Sequence, residues 1–160
     1  MKRYLTLAAI LTLIFVAPAS AGDGDAILGL WATDPEGGGG EAHVEIYADG
    51  DRYSGRIVWL AEPDYPADDE QGMAGKEKVD RENPDEALRS KPIIGLVIVK
   101  GFEFDGKDTW RKGTIYDPNN GKTYKSKMKL ESPDVLKVRG FIGISLIGRT
   151  TEWTRVKDGG

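Results

Sequence analysis

The chain has 160 residues, with 22 Lys and Arg against 26 Asp and Glu, a formal charge of −4, one His and no Cys. That length holds one core of ordinary size, and the missing thiol excludes disulfide scaffolds, thiolate nucleophiles, thiolate zinc sites and anchoring through a lipidated cysteine. The acidic balance, with no basic run beyond the interrupted series Lys122, Lys125, Lys127 and Lys129, argues against nucleic acid as a partner.

Lys2 and Arg3 precede an apolar run from Leu5 to Val16 and a small-residue stretch, Ala17-Pro18-Ala19-Ser20-Ala21. This is the pattern of a cleavable signal peptide over 1–21, cut after Ala21, so that 22–160 is expected as a single, soluble domain, periplasmic or secreted. The leader takes two positive charges with it and leaves a more acidic mature chain. Its apolar stretch is too short to span a bilayer, and no other segment approaches about 20 apolar residues, so the mature chain is expected to have no transmembrane segment.

Beyond the leader, apolar residues recur with period two between clusters of Gly, Pro, Asn and Asp. The first candidate strand, 28–33, carries Gly29-Leu30-Trp31. Gly37-Gly38-Gly39-Gly40 has no side chain to hold it and reads as a mobile loop. The second strand, 41–48, sets Glu41, His43 and Glu45 on one face and Val44 and Ile46 on the other. One His with two carboxylates has the donors for a divalent cation; the plainer account is the wet face of a half-buried strand. After the turn at Asp49-Gly50, alternation over 52–60 puts Tyr53, Ile57 and Trp59 together and Arg56 and Val58 opposite.

Residues 61–92 are too long for a hairpin turn. Their first part, Glu62-Pro63-Asp64-Tyr65-Pro66-Ala67-Asp68-Asp69-Glu70, is acidic and broken by proline, which predicts an irregular excursion. Further on, Asn83 as N-cap, Pro84 at the first helical position and Glu86 three residues past the cap predict a short helix over 84–89, stopped by Pro92. Asp80, Asn83, Asp85 and Arg89 form a motif on this loop. Its oxygens suit calcium, but the EF-hand register is missing and Asn83 and Glu86 already serve as a capping box.

Strands are then expected over 93–104 and 109–116, joined at Asp105-Gly106, and a tight hairpin at Asp117-Pro118-Asn119-Asn120-Gly121 leads into 123–130. In that strand Tyr124, Ser126, Met128 and Leu130 share a dry face while Lys125, Lys127 and Lys129 share a wet one. Segments 135–141 and 146–155 bring the number of strands to eight. Successive short connections favour an antiparallel meander, and closure into an eight-stranded up-and-down barrel removes the exposed edges. On the last strand Arg149, Thr151, Trp153 and Arg155 share parity, which turns Arg149 inward if Arg155 packs on Trp31.

Gly29-x-Trp31 near the start and Arg155 at the end resemble the closing elements of the calycin superfamily, the lipocalin-like barrels. That resemblance implies a Trp that plugs the base and an Arg that packs over its face. A longer set, Gly55-Arg56-Ile57-Val58-Trp59, Asp80 to Asn83-Pro84-Asp85, Arg89, Gly113-x-Ile115-Tyr116-Asp117-Pro118, Gly121-Lys122-x-Tyr124, Gly140-Phe141-Ile142-Gly143 and Gly148-Arg149-Thr150-x-x-Trp153, is similar to a bacterial family of exported proteins catalogued as domain of unknown function 2147. It covers nearly all of 28–155 and implies an exported calycin-like barrel, with no reaction attached.

For function, an inward Arg149 suits a ligand carboxylate or phosphate held bidentately, or a structural pair with Asp117, Asp80 or Asp85. Tyr53, Trp59, Tyr116, Tyr124 and Met128 could line a cavity or simply fill a small barrel. No nucleophile elbow, phosphate loop or dinucleotide fingerprint is present, and no two carboxylates are singled out for acid–base work, so no catalytic residue and no cofactor are assigned. The leading expectation is a non-catalytic barrel that binds a small apolar or amphipathic ligand. The alternative is a filled scaffold that meets a cell-envelope protein through the 61–92 loop.

Overall fold

The computed structural model describes residues 23–34, 40–144 and 146–157; the expected leader and Gly37 to Gly39 of the glycine run lie outside the described residues. Eight strands follow one another along the chain: β1 (Gly29–Ala32), β2 (Ala42–Asp49), β3 (Arg52–Leu60), β4 (Val97–Phe104), β5 (Thr109–Asp117), β6 (Lys122–Ser132), β7 (Val135–Phe141) and β8 (Gly148–Arg155). Each pairs antiparallel with the next, and β8 returns to β1, so the sheet is a closed barrel with no free edge. The all-β, eight-stranded, up-and-down architecture expected from the alternation is therefore the one observed.

Tight turns after β2, β4 and β6 gather at one end, the base, while the connections β1–β2, β3–β4, β5–β6 and β7–β8 leave from the other, the mouth. The base is closed by a segment that the periodicity does not reveal, a short 3-10 turn over Asp23–Ile27. Ile27 and Trp31 are fully buried, and the Trp31 indole N–H donates to the Ile27 carbonyl at 2.9 Å. Arg155 lies over the Trp31 ring, 4.2 Å from its centroid. Its guanidinium donates to the carbonyls of Ala26 and Leu28 at 2.7 and 2.8 Å and to Pro133 at 2.7 Å. Gly29, Trp31 and Arg155 thus meet as the lipocalin-like resemblance implies.

The lower barrel is filled. Val44, Val99, Phe102, Trp110, Met128, Leu136 and Val138 are buried almost completely, each large side chain being worth about 1.5–3 kcal/mol of burial. A register shift between Trp110 and Gly113, with Lys112 at φ 61°, lets both Trp110 and Gly113 face inward although two residues lie between them. The Phe102 ring then sits where a Gly113 side chain would be.

Three local expectations are corrected. The β3 bulge opposite His43 and Val44 leaves Val58 unpaired and reverses parity there, so Ile57 points into the core and Trp59 points out. The expected helix over 84–89 is one 3-10 turn, Glu86–Leu88, capped by Asp85, which accepts from the Ala87 N–H. Asn83 does not cap it, because its amide donates to Asp80 at 2.6 Å and its carbonyl oxygen accepts from the Asp85 N–H. Finally, β4 and β8 start later than the alternation suggests. Gly95 at φ 95° turns the chain before Val97, and Ile142 with Ile147 closes a hairpin tip before Gly148.

Two outcomes follow from the base and the core. Tyr53 donates to Asp25 at 2.9 Å and stands edge-on to Trp110; burial first, then the hydrogen bond to Asp25 and its charge, push the phenol from 10.0 up to about 12. The folded chain keeps this proton where the unfolded chain has lost it, so the contribution is whole below about pH 10 and vanishes as pH rises toward 12. Equilibrium unfolding across that window should show a shallower loss of stability in Tyr53→Phe than in the wild type, with the variant about 1 kcal/mol less stable at neutral pH. Gly113→Ala should lower stability by about 1–3 kcal/mol, since its methyl group meets the Phe102 ring; a melting temperature unchanged from wild type would contradict the filled core.

Candidate functional site

The inward face loses its cover from base to mouth. Along β6, Met128 and Ser126 are buried while Tyr124 is only half-buried. Along β8, Trp153 is buried, Thr151 half-buried and Arg149 exposed. The register sets Tyr124 beside Ile115 and Arg149 opposite Gly140. A Cβ on Gly140, which pairs with the buried Ser126, would lie 3.3 Å from Ile115 and 3.7 Å from Tyr124, so these positions adjoin on the inward face of β5, β6 and β7. Ile115 and Tyr124 form a half-covered ledge on the mouth side of Ser126, with Arg149 at the rim, while Thr151 pairs lower down with the buried Val138.

Arg149 is accordingly not the buried guanidinium that parity suggests. Its register position is on the inward side, but β8 begins one residue earlier, and water reaches the outermost rung of a barrel. A rim guanidinium escapes the desolvation that a buried one would suffer. The Tyr124 hydroxyl accepts from the Asn120 amide at 3.2 Å, and Asn120 in turn donates to Asp117 at 2.8 Å. The β5–β6 turn thereby fixes the ring at the edge of the ledge.

The other lining candidates are placed elsewhere. Met128 is fully buried in the core, and Tyr53 belongs to the base. Trp59 is outside, its ring 4.4 Å from that of His43. Tyr116 is tied to the long loop: its hydroxyl donates at 2.6 Å to Asp80, a carboxylate with no exposure that also accepts from Asn83. Burial, the hydrogen bond to Asp80 and the nearby carboxylates push the Tyr116 phenol well above its ordinary range.

The loop motif is consumed by the loop's own folding. Asp80 and Asn83 pair with each other, Asp85 caps the 3-10 turn, and Arg89 donates to the Asn83 carbonyl at 2.8 Å. The first part of the excursion is irregular, as expected, with no strand or helix before Glu86, but its side chains hold it in place. Tyr65 is buried and exchanges hydrogen bonds with the Val79 backbone, while Arg81 covers its ring and pairs with Asp69 at 2.7 Å. That pairing and the backbone N–H groups of Met73 and Gln71 hold the Asp69 carboxyl below its ordinary range. Ile93, at the end of the excursion, enters the core.

Glu41, His43 and Glu45 do not converge either. Glu45 accepts from Arg56 at 2.7 and 2.9 Å, and His43 is stacked on Trp59; among the described residues no three His, Asp or Glu side chains are grouped to hold a metal ion. Two concavities on the described surface, of about 520 and 430 Å³, lie outside the barrel on either side of the short β8–β1 seam. The first is lined by Leu30, Glu45 and Val58, and the second by Thr33, Glu41 and Glu152.

Sequence reasoning missed Asp25, Trp110 and the turn at 23–27. Asp23-Gly24-Asp25 looks like any polar linker; that it plugs a barrel depends on Trp110 donating to the Gly24 carbonyl, 86 residues away in sequence. The apolar tip of the β7–β8 connection was also passed over, although Ile142, Ile144, Leu146 and Ile147 with little alternation were a signal in plain sight.

Comparison with known proteins agrees with this geometry. The chain is similar to the solved structure described as protein HP1028 from the human pathogen Helicobacter pylori, said there to belong to the lipocalin family. The TM-score is 0.69 at 22% identity, with 82% of this chain and 83% of that one covered. No curated protein matches the sequence. The family of uncharacterised proteins conserved in bacteria, DUF2147, matches residues 29–155, nearly the whole barrel from the Gly29 that opens β1 to the Arg155 that ends β8, and the chain belongs to that family.

Proposed function

We propose that the protein binds a small apolar or amphipathic ligand at the mouth of the barrel and catalyses no reaction. The observation that carries this reading is the loss of cover along the inward face: the core is complete up to Ser126 and Val138, and toward the mouth Ile115 and Tyr124 are left half-covered beside an exposed Arg149. Ligand sites are concave and mostly apolar, with a few polar groups that fix orientation. A ligand seated here would rest its apolar part on Ile115 and Tyr124 and turn an acidic head toward Arg149. Binding of this kind is shallow, because Phe102, Trp110 and Met128 occupy the space below.

Export through the leader at 1–21 belongs to the same reading, since it would put the mouth where envelope lipids and their products are found. Contact with an envelope protein through 61–92 gains nothing from the loop motif, whose side chains serve the loop itself.

Anilinonaphthalene sulfonate, which joins apolar rings to an anion, is a suitable probe. Its fluorescence should rise on titration with the folded protein, and Arg149→Ala and Tyr124→Ala should each weaken binding about tenfold, the loss expected for one charge-assisted hydrogen bond or one aromatic contact. Met128→Leu should leave the affinity as it was. Absence of binding, or equal affinity in all three variants, would remove the mouth as the site. Native mass spectrometry of protein purified gently from its own envelope would then identify the natural ligand as an extra mass that Arg149→Ala loses.

A further inference from the structure

The β7–β8 tip carries a second, separate property. Its four large side chains are the most exposed apolar ones described: Ile142 and Ile147 at 68%, Ile144 at 61% and Leu146 at 84%. They sit on a hairpin tip closed by the Ile142 N–H to the Ile147 carbonyl at 3.2 Å and the Ile147 N–H to the Ile144 carbonyl at 3.1 Å. The tip stands at the mouth, beyond the last rung of the barrel, Phe141 against Gly148. An exposed contiguous apolar cluster of this kind is uncommon on a protein surface and marks something that covers it.

The strand beside this hairpin, β6, is cationic on its outer face. Lys125 lies beside Phe141 and Lys127 beside Arg139 on the outer face of β6 and β7. Both lysines are exposed, and neither is within ion-pair distance of an acid among the described residues, whereas Lys129 and Lys137, nearer the base, pair with Glu131. Arg139 braces the tip by donating to Thr150 at 2.8 Å and to the Leu146 carbonyl at 3.3 Å. The acidic run Glu62 to Glu70 leaves from the end of β3, on the far side of the ring from β7 and β8. The apolar tip and two lysines without an acidic partner among the described residues therefore share one side of the mouth.

From this juxtaposition we infer that the β7–β8 tip inserts into the surface of a lipid bilayer that carries anionic headgroups, with Lys125 and Lys127 against the headgroups. Branched aliphatic side chains on a protruding tip suit the boundary between headgroups and acyl chains, and lysines near the surface add about 1 kcal/mol each when the lipid is anionic. The patch is on the order of 500 Å² and contains no aromatic residue, against the roughly 800 Å² per partner and aromatic anchors of a specific protein interface. Docking in this way would bring the mouth down onto the lipid from which an amphipathic ligand could enter.

Flotation with vesicles tests the inference, using protein isolated from cells that express the full chain and no added ligand. Wild type should float with vesicles of phosphatidylethanolamine and phosphatidylglycerol, float far less with phosphatidylcholine alone, and be released by raised salt. Leu146→Asp with Ile147→Asp should weaken binding at least tenfold, and Lys125→Gln with Lys127→Gln about tenfold on the anionic vesicles only. All four positions are exposed, so circular dichroism and melting should match wild type; Leu146→Ser, a milder change, serves if the double aspartate variant does not fold. The inference is overturned if the wild type does not float, if the tip variants float equally well, or if sedimentation shows a dimer that the tip variants dissolve, which would make a second copy the occupant. Because ligand-free protein is read on vesicles, failure here leaves the probe titration at the mouth untouched, and failure of that titration leaves this result standing.

Discussion

The rest of the barrel depends on the stacking of Arg155 over Trp31. The seam that closes the ring is short: β1 has four residues, and only Trp31 with Arg155 and Ala32 with Thr154 are in register across it. Two rungs of ladder are a weak clasp for eight strands. Arg155 strengthens the seam through side-chain chemistry, since one guanidinium reaches the turn before β1, the loop after β6 and the face of the indole. Guanidinium is suited to this task because it remains charged at any physiological pH, has five donors in a fixed plane and loses little hydration over an aromatic ring. A lysine has the charge without the fork.

Closing the base in this way divides the molecule. Below, the plug over 23–27 and the filled interior leave no depth for a ligand, and the tyrosine at position 53 is spent on holding Asp25. Above, the strands run out before the interior does, and the inward side chains nearest the mouth, Tyr124, Ile115 and Arg149, are covered only in part or not at all. The long β3–β4 excursion does not act as free chain at this end. Its buried Asp80 binds Tyr116 and Asn83, two donors that satisfy a carboxylate with no exposure to water. A folded excursion on one side of the mouth and a bare apolar tip on the other give the open end two unlike sides.

Strand positions were legible in the sequence because period-two alternation is a local property, imposed wherever one side of a strand is dry and the other wet. Thr123 to Leu130 is the plainest case, and its dry residues do face inward. The base was legible for a different reason, since Gly29-x-Trp31 and Arg155, in this order of elements, resemble the closing residues of lipocalin-like barrels. The candidate site was much less so. Trp59 changes face because of one bulged residue, Val58, and a bulge depends on the twist of neighbouring strands rather than on the residue that forms it. Asn83 had every local mark of a helix cap, yet Asp80 captured its side chain, and the cap passed to Asp85. Arg149 kept its inward parity but lost its burial, because where β8 starts decides how far up the wall the position stands.

The sequence by itself determined the all-β class, the number and order of the strands, the antiparallel meander and the pairing of Trp31 with Arg155, all of which follow from residues near one another in the chain or from one distinctive constellation. Only the tertiary structure decided that the interior is filled below and open above, that Tyr53, Trp59, Tyr116 and Met128 have places other than the ledge, and that Ile142, Ile144, Leu146 and Ile147 stand in solvent. These are facts about which distant segments share a volume. A pattern of side chains fixes the face of a strand, but the depth of water above that face is set by the chains packed around it.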